Sequence, residues 1–270
     1  MKFSAKEKSR LKSRYGPWAL VTGASSGIGM ELAERLAEAG FHLLICSRNG
    51  ASLRKLQQQW QGKYGVEVKT IAADVSDPMG IEAIIDAAKK PEIGLVVLSA
   101  GFGTAGLFLN SSLPAEVNML RVNCEAVLSF THHFSQRFSQ QQRGGIILLS
   151  SLVAFQGVPY AASYAATKAW VQSLAEALAV ELKPYGVDVL AAVPGPVKSG
   201  FAQRANMRMN NAVSPRQLGV PILSALGRRS QVVPGALSKL LTWSLRTVPR
   251  FAKIRIMQKI MGGFTLHQRQ

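Results

Sequence analysis

Three residues in the second half of the chain, Ser151, Tyr164 and Lys168, have types and spacing suited to carbonyl chemistry. Tyr164 and Lys168 are four residues apart in a helix-forming segment, so their side chains share one helical face. A free tyrosine has a pKa of about 10, and an ammonium one turn away stabilises the phenolate and lowers that pKa. Ser151 can donate a hydrogen bond to an oxygen that gains negative charge. The set predicts proton exchange with a carbonyl oxygen.

A glycine-rich loop, Thr22-Gly-Ala-Ser-Ser-Gly-Ile-Gly29, lies between a short apolar segment and an amphipathic one. Glycines at this place let the turn close and let the backbone approach a pyrophosphate, which then faces the positive end of the following helix. The spacing differs from the usual dinucleotide fingerprint. We expect the loop to bind a nucleotide cofactor through Gly23, Ser25, Ser26, Gly27, Ile28 and Gly29.

The end of the second predicted strand distinguishes the two nicotinamide cofactors. An acidic residue there would bind the ribose 2′-hydroxyl of NAD, but the sequence reads Cys46-Ser47-Arg48. A guanidinium can pair with a 2′-phosphate through charge-assisted hydrogen bonds. Arg48 therefore favours NADP over NAD, with a solvated loop cation as the alternative.

Alternating strands and helices must position these residues. Short apolar strands are predicted at 18–22, 42–47, 66–72, 95–98, 146–150 and 188–193, with helical periodicity between them, as at 28–39 and 161–182. Asp77 and Pro78 predict a helix start. The pattern is typical of the α/β class, a single doubly wound Rossmann-type domain with a mostly parallel sheet and a C-terminal helical extension.

Charge is concentrated at the two ends of the chain. The net charge of +17 divides into +5 for residues 1–14, −1 for 15–197 and +13 for 198–270. We predict a basic arm at 1–14, a cofactor-binding and catalytic domain at 15–235 with a substrate loop at about 195–227, and a cationic apolar helical tail at 236–270. A near-neutral core argues against a nucleic-acid channel. Cys46 and Cys124 are too few for a disulfide framework, and no metal site is predicted.

Taken together, these motifs resemble the classical short-chain dehydrogenase/reductase family over about residues 15–200. The matching features are Thr22–Gly29, Asp74, Ser99-Ala100-Gly101, Asn123, Ser151, Tyr164-Ala-Ala-Thr-Lys168 and Pro194-Gly195. The resemblance implies that Tyr164 is the general acid/base, that Lys168 also holds the nicotinamide ribose, and that Ser151 orients the carbonyl. It also implies that Asn123 positions a water. Cofactor contacts are implied at Asp74, Val75, Ala100, Gly101, Pro194, Gly195, Val197 and Ser199.

Two motifs depart from the family pattern. The family's Asn-Asn-Ala-Gly is Leu98-Ser99-Ala100-Gly101 here, which weakens a side-chain role at the first two positions. The family's Pro-Gly-x-x-x-Thr ends in Ser199, whose hydroxyl must replace that of threonine near the carboxamide. Neither change removes a proton-transfer residue. The resemblance also implies a homodimer or homotetramer.

The predicted activity is NADPH-dependent reduction of a ketone or aldehyde, or oxidation of the alcohol. Phe201, Met207 and Met209 favour an apolar or lipid-like substrate, such as a 3-oxoacyl or steroid-like compound. The alternative is an NADP-binding regulatory or scaffold protein without turnover.

The location of the protein depends on its tail. We expect a cytoplasmic protein, because no signal peptide or membrane-spanning segment is visible. Basic and apolar residues of the tail raise a second hypothesis of peripheral contact with an anionic membrane. The apolar set is Leu237, Leu240, Leu241, Trp243, Leu245, Phe251, Ile254, Ile256, Ile260 and Met261. The competing interpretation is that these helices cover the pocket or a subunit contact.

Overall fold

A seven-stranded sheet forms the centre of the computed structural model, which describes residues 3–209, 212–235, 238–239 and 247–268. All pairings are parallel, and the strand order is β3-β2-β1-β4-β5-β6-β7. The predicted α/β fold is confirmed. The strands are β1 Trp18–Thr22, β2 His42–Ser47, β3 Val68–Ala72, β4 Ile93–Leu98, β5 Gly144–Leu149, β6 Val187–Ala192 and β7 Gln231–Val232.

Helices cover both faces of the sheet. Their bounds are α1 Ala5–Tyr15, α2 Gly27–Glu38, α3 Gly50–Tyr64, α4 Pro78–Lys89, α5 Leu113–Leu120, α6 Ala126–Gln141, α7 Ala162–Glu181, α8 Phe201–Arg204, α9 Gly219–Ala225 and α10 Arg250–Phe264. Asp77 caps α4 through a 3.0 Å bond from the Met79 N–H, and Pro78 occupies the first turn.

Side chains alternate between two hydrophobic cores. Ala19 and Val21 of β1 pack in the core covered by α1, α2, α3 and α9, whereas Leu20 packs in the core covered by α4, α6 and α7. Successive side chains of a strand point to opposite faces, so a strand covered on both faces is apolar throughout. Every residue of β1 is buried, which explains why an unbroken apolar run marked it in the sequence.

The strand order reverses between β1 and β4. The chain leaves β1 toward β2 and β3 on one side, and later returns through β4, β5 and β6 on the other. Loops after the two central strands therefore diverge and leave a crevice at their carboxyl ends. The glycine loop follows β1, and Ser99-Ala100-Gly101 follows β4, so both motifs reach this crevice.

The N-terminal segment differs from the basic arm predicted at 1–14. Residues Ala5–Tyr15 form a helix in which Leu11 and Tyr15 are fully buried. The Tyr15 hydroxyl donates to Asp188 Oδ2 at 2.7 Å, and Arg14 pairs with the same carboxylate. Arg10 donates to the Leu226 carbonyl at 2.9 Å. The basic side chains thus serve contacts with the domain, which composition alone could not indicate.

The described part of the predicted tail packs against the domain. Met261 of α10 and Thr265 are buried, and Arg208 N–H donates to the Phe264 carbonyl at 3.0 Å. Within the described residues, no helix combines the length and apolarity needed to span a bilayer. The tail residues Leu237, Leu240, Leu241, Trp243 and Leu245 lie outside the described part. One face of α10 directs Met257, Met261 and Phe264 into a cluster with Tyr164, whereas Phe251, Ile256 and Ile260 of the predicted apolar set are exposed. The hypothesis of membrane contact gains no support from this packing.

Candidate active site

A cleft of about 450 Å³ opens at the carboxyl ends of the central strands. It brings together most of the residues that the sequence predicted for cofactor binding and proton transfer. Those that line it are Gly23, Ser25, Ser26, Gly27, Ile28, Arg48, Asp74, Val75, Ala100, Gly101, Tyr164, Lys168, Pro194 and Ser199. Residues separated by up to 176 positions in the sequence, from Gly23 to Ser199, therefore share one cavity.

The glycine loop forms one wall of the cleft with its backbone. Gly23 has φ +66°, and a Cβ there would lie 2.8 Å from the Ala100 backbone, so only glycine fits. Thr22 Oγ1 accepts from the Ser99 and Ala100 N–H groups at 3.0 and 3.1 Å, which joins the two loops. Ser26 begins α2 without a side-chain capping bond. The N–H groups of that first turn are thus left to bind a phosphate.

The end of β2 forms the far wall. Arg48 lies 3.8 Å from Asp74 Oδ2, and both side chains are exposed. Asn49 caps α3 by accepting from the Ser52 N–H at 3.0 Å. Asn49 and Ser52 also line the cleft, although the sequence analysis did not select them. Their signal was visible, because a capping Asn followed by Gly and Ser marks a helix start whose N–H groups can bind an anion.

Tyr164 and Lys168 lie on α7 at the floor of the cleft. Lys168 is 7% exposed, and its Nζ donates to the Leu149 carbonyl at the end of β5 at 2.7 Å. The same Nζ lies 5.9 Å from the centre of the Tyr164 ring. Ser151, two residues after β5, forms a side-chain hydrogen bond with Tyr164. The catalytic spacing predicted from the sequence thus corresponds to one cluster.

The acid–base balance of this cluster differs from the prediction that Lys168 lowers the pKa of Tyr164. Burial raises the pKa of Tyr164 to about 12, and the Ser151 hydrogen bond opposes that rise. Burial also lowers the pKa of Lys168 to about 8. Desolvation disfavours the charged form of each group. Sequence spacing places the two residues on one helical face but cannot report that the ammonium bonds a backbone carbonyl.

Asn123 lies in a π-helical turn, Arg121–Glu125, which interrupts the path from α5 to α6. Its amide nitrogen donates to the Phe102 carbonyl at 2.9 Å and to Thr167 Oγ1 at 3.1 Å, and its oxygen accepts from the Phe102 N–H. A Cβ at Gly101 would lie 3.1 Å from Asn123 Oδ1 and 3.6 Å from Lys168 Nζ. Asn123 and Lys168 therefore flank Gly101 behind the cleft wall. Such turns frequently occur at functional sites.

Four predicted residues support the cleft from behind or beside it. A Cβ at Gly29 would clash with the Gly23 carbonyl at 2.4 Å, so this glycine keeps the loop against α2. Gly195 packs against Ser238, and Val197 is buried in a bridge with Val213. Ser151 reaches the cleft through its bond to Tyr164.

A contact over the Tyr164 ring has no counterpart in the sequence pattern. The ring of Phe201, on the short helix α8, lies with its centre 5.1 Å from that of Tyr164. A Cβ at Gly103 would be 2.7 Å from Phe201 and 3.0 Å from Tyr164, so glycine is required between them. The sequence placed Phe201 in a substrate loop but carried no signal for its partner.

The cleft's thiol is an unreactive one. Cys46 lines the cleft, and burial raises the pKa of this free cysteine to about 12. Thiol chemistry at neutral pH requires a thiolate. Cys46 therefore contributes packing beside the glycine loop rather than a nucleophile.

Comparison with known proteins decides the family. A family model described as short chain dehydrogenase matches residues 17–210. The chain belongs to the short-chain dehydrogenase family. It is an NAD(P)-dependent oxidoreductase that acts on hydroxyl or carbonyl groups. This confirms the resemblance on which the fold and reaction class were predicted.

Two of the relatives are named for specific reactions. The chain is 28% identical over 242 residues to a 7beta-hydroxysteroid dehydrogenase of Collinsella aerofaciens, covering 85% of this chain and 90% of the relative. It is 37% identical over 190 residues to a very-long-chain 3-oxoacyl-CoA reductase-like protein of Arabidopsis thaliana. That match covers 68% of this short-chain dehydrogenase but only 61% of the plant protein.

Solved structures give the same result. A 7beta-hydroxysteroid dehydrogenase structure superposes with a TM-score of 0.85 at 26% identity, covering 92% of this chain and 98% of the other. A short-chain dehydrogenase from Sphingobium yanoikuyae, solved with NADPH, superposes with a TM-score of 0.77 at 27% identity, covering 87% and 96%. The fold of this short-chain dehydrogenase therefore extends over nearly the whole chain.

Proposed function

We propose that this short-chain dehydrogenase uses NADPH to reduce a ketone or aldehyde, or NADP to oxidise the corresponding alcohol. The observation that carries the proposal is the cluster of Ser151, Tyr164 and buried Lys168 in one cleft with the glycine loop. The uncapped α2 terminus and the close approach at Gly23 fit a dinucleotide pyrophosphate. A regulatory binder without turnover would have no need of the complete proton-transfer set.

Each residue of the cluster has a distinct role in the proposal. Bound NADPH supplies the hydride. The pKa of about 12 keeps the Tyr164 hydroxyl protonated near neutral pH, so it can donate a proton to the carbonyl oxygen. Ser151 orients that oxygen through a hydrogen bond. Lys168 holds the nicotinamide ribose, and Asn123 positions the water that connects Lys168 to solvent.

The preference for NADP rests on Arg48. Its guanidinium lies at the rim of the cleft beside the start of α3, where a 2′-phosphate would meet both a cation and helix N–H groups. Asp74 competes for Arg48 across 3.8 Å, but an exposed pair contributes little. The phosphate can therefore displace Asp74 at small cost.

The substrate in this proposal has an apolar part near Tyr164. Val158, Ala161 and Met261 form a buried cluster against which Met207, Met257 and Phe264 pack together with the Tyr164 ring. Such a wall suits a lipid-like compound. The two relatives named for a hydroxysteroid and for a 3-oxoacyl-CoA support the same class, so a keto-steroid and a 3-oxoacyl thioester are the first compounds to assay.

A homo-oligomer is also proposed. Leu113, Val117 and Leu120 of α5 and Leu128 of α6 are apolar and exposed. Apolar side chains gathered on one surface mark interaction sites. Light scattering of the purified protein at several concentrations tests for a dimer or tetramer, and a monomer throughout would contradict the proposal.

The experiment for the main proposal measures NADPH oxidation with ketones, aldehydes, 3-oxoacyl thioesters and keto-steroids. With an accepted substrate, Tyr164→Phe should lower kcat by roughly 10²–10⁴ while the NADPH dissociation constant changes by less than about threefold, since only the proton donor is lost. Tyr185→Phe is the matched control, because this tyrosine is exposed at the end of α7. A Tyr164→Phe variant that retains above about a tenth of wild-type kcat would overturn the assignment.

A further inference from the structure

A second cavity of about 480 Å³ adjoins the cofactor cleft. Four separate stretches line it: residues between 104 and 116, residues 160–163, residues 204–206, and the C-terminal pair Thr265 and Gln268. Arg204 lines both cavities. The two spaces therefore meet at helix α8, beside the Phe201 ring that covers Tyr164.

The lining of the second cavity is rich in hydrogen-bonding side chains. Its hydroxyl and amide groups include those of Thr104, Asn110, Ser112, Tyr160, Ser163 and Asn206. A purely hydrocarbon ligand would remove water from these groups without replacing its hydrogen bonds, at a cost for each. The cavity therefore suits a polar part of a molecule, in contrast to the apolar cluster beside Tyr164.

The shape of this cavity is fixed by an unusual backbone. Tyr160 and Asn206 line it and have φ values of +66° and +50°, which residues other than glycine rarely adopt. The Tyr160 carbonyl accepts from the Gly106 N–H at 2.8 Å. The Asn206 carbonyl accepts from the Gln268 amide at 2.5 Å, and Asn206 Oδ1 contacts His267 Nε2 at 3.1 Å. Residues in such conformations cluster at ligand sites.

Arg204 gives the cavity its cationic group. Across the described ranges, no carboxylate lies within ion-pair distance of its guanidinium. The other charged residue of the lining, Glu116, is 7% exposed, and its Oε2 is buried without a hydrogen-bond partner among the described residues. Glu116 lies in the first turn of α5, where the helix dipole offsets a negative charge. Arg204 is thus the group that a ligand anion would meet.

We propose that the second cavity binds a polar, anionic end of the substrate, with Arg204 pairing with the anion while the carbonyl reaches Tyr164. This inference rests on the proposed carbonyl reduction, because it places both ends of one molecule in adjoining cavities. A steroid carboxylate and the phosphates of a coenzyme A thioester share the required chemistry. A guanidinium binds either group through paired hydrogen bonds.

The test uses binding, so that it does not depend on turnover. Calorimetric titrations into the full chain saturated with NADP compare coenzyme A with pantetheine, and a 7-oxosteroid acid with its methyl ester, since the oxidised cofactor cannot react with a ketone. For at least one pair, the wild-type protein should bind the anionic member about fivefold to tenfold more tightly, the range expected for one partly solvated charged contact. Arg204→Gln should reduce that ratio to about one. Arg208→Gln is the matched control, since Arg208 is exposed on the same loop and lines neither cavity.

The outcomes separate this inference from the proposed function. The subsite is supported if the wild-type protein prefers the anionic member of a pair, Arg204→Gln abolishes this preference and Arg208→Gln keeps it. The pair in which the preference occurs identifies the anion. If the wild-type protein binds both members of each pair equally tightly, the proposed subsite is refuted. Equal weakening of both members of a pair, or a loss of NADP affinity in Arg204→Gln, also overturns it and makes Arg204 a cofactor or general packing residue. If the protein discriminates by charge but turns over none of the carbonyl compounds, the anion subsite stands and the proposed reductase activity is refuted.

Discussion

The cofactor cleft and the neighbouring polar cavity meet at α8, yet they are built in different ways. The cleft depends on short continuous stretches placed at the ends of buried strands, above all Thr22–Gly29 after β1. The cavity depends on four stretches from residue 104 to residue 268, closed by the C-terminal residues. Strands in a covered parallel sheet hold their loops rigidly, whereas surface segments are held by a few long-range bonds.

Electrostatics differ between the two regions as well. The cleft presents Arg48 already paired with Asp74 at 3.8 Å, whereas Arg204 lines the junction without such a partner among the described residues. Under the two proposals, Arg48 would exchange Asp74 for the cofactor's 2′-phosphate, whereas Arg204 would acquire an anion where the described residues provide none. This difference predicts that changes in the first region alter cofactor affinity and changes in the second alter substrate affinity.

Among the changes that compare the two regions, the largest effect is expected at the cofactor end. Arg48→Ala should raise the NADPH dissociation constant about 10-fold to 100-fold and leave that of NADH within about twofold, because a charge-assisted contact to the 2′-phosphate is lost. Fluorescence titration with both cofactors measures this difference. Lys55→Ala, an exposed cation on the helix α3 that follows Arg48, should change neither value. Equal affinity of the wild-type protein for NADH and NADPH would contradict the role given to Arg48.

A somewhat smaller effect is expected from pH. Burial lowers the pKa of Lys168 to about 8 and raises that of Tyr164 to about 12, so Lys168 is the group that titrates. It is cationic below its pKa and neutral above it. The kcat/KM for reduction should therefore be constant below about pH 7.5 and fall toward tenfold per pH unit above about pH 8, as the ribose-binding cation is lost.

The variant Lys168→Arg sharpens this pH prediction. Arginine stays protonated throughout the measured range, so the decline above pH 8 should disappear even though altered geometry lowers the overall rate. Initial rates from pH 6 to 9.5 at saturating NADPH and limiting substrate provide the profile. A wild-type profile that stays flat to pH 9.5 would show that Lys168 titration does not limit the reaction.

The smallest effect is expected from the C-terminal bonds that close the polar cavity. Replacing His267 and Gln268 together by Ala removes both contacts to Asn206. The substrate KM should rise about threefold to fivefold while the NADPH dissociation constant stays unchanged, because the two bonds hold the cavity wall and only part of their free energy, roughly 0.5–1.5 kcal/mol each, affects substrate binding. Leu266→Ala, an exposed neighbour of the same segment, is the control. An equal rise in both constants would remove the proposed separation between the two regions.

The sequence by itself determined the sheet and most of the cleft. Mostly apolar runs predicted Trp18–Thr22 and His42–Ser47 with the observed bounds, because the inner positions of a strand covered on both faces are apolar. The glycine loop and the Tyr164–Lys168 spacing encode local geometry within a few residues. Such short-range patterns can be recognised in the sequence alone. The strand β7, only two residues long, carried too little pattern to be predicted.

Only the tertiary structure decided how these parts meet. The basic N-terminal segment forms a helix that is bonded to Asp188, and α10 packs Met261 into a cluster with Tyr164. The amine of Lys168 is held by the Leu149 carbonyl, and Asn123 reaches the cleft wall through a π-helical turn. Each outcome depends on contacts between residues far apart in the chain, and burial at those contacts sets the pKa values. The spacing of residues in the sequence does not show which distant segments pack together and exclude water, and this burial determines the pKa shifts.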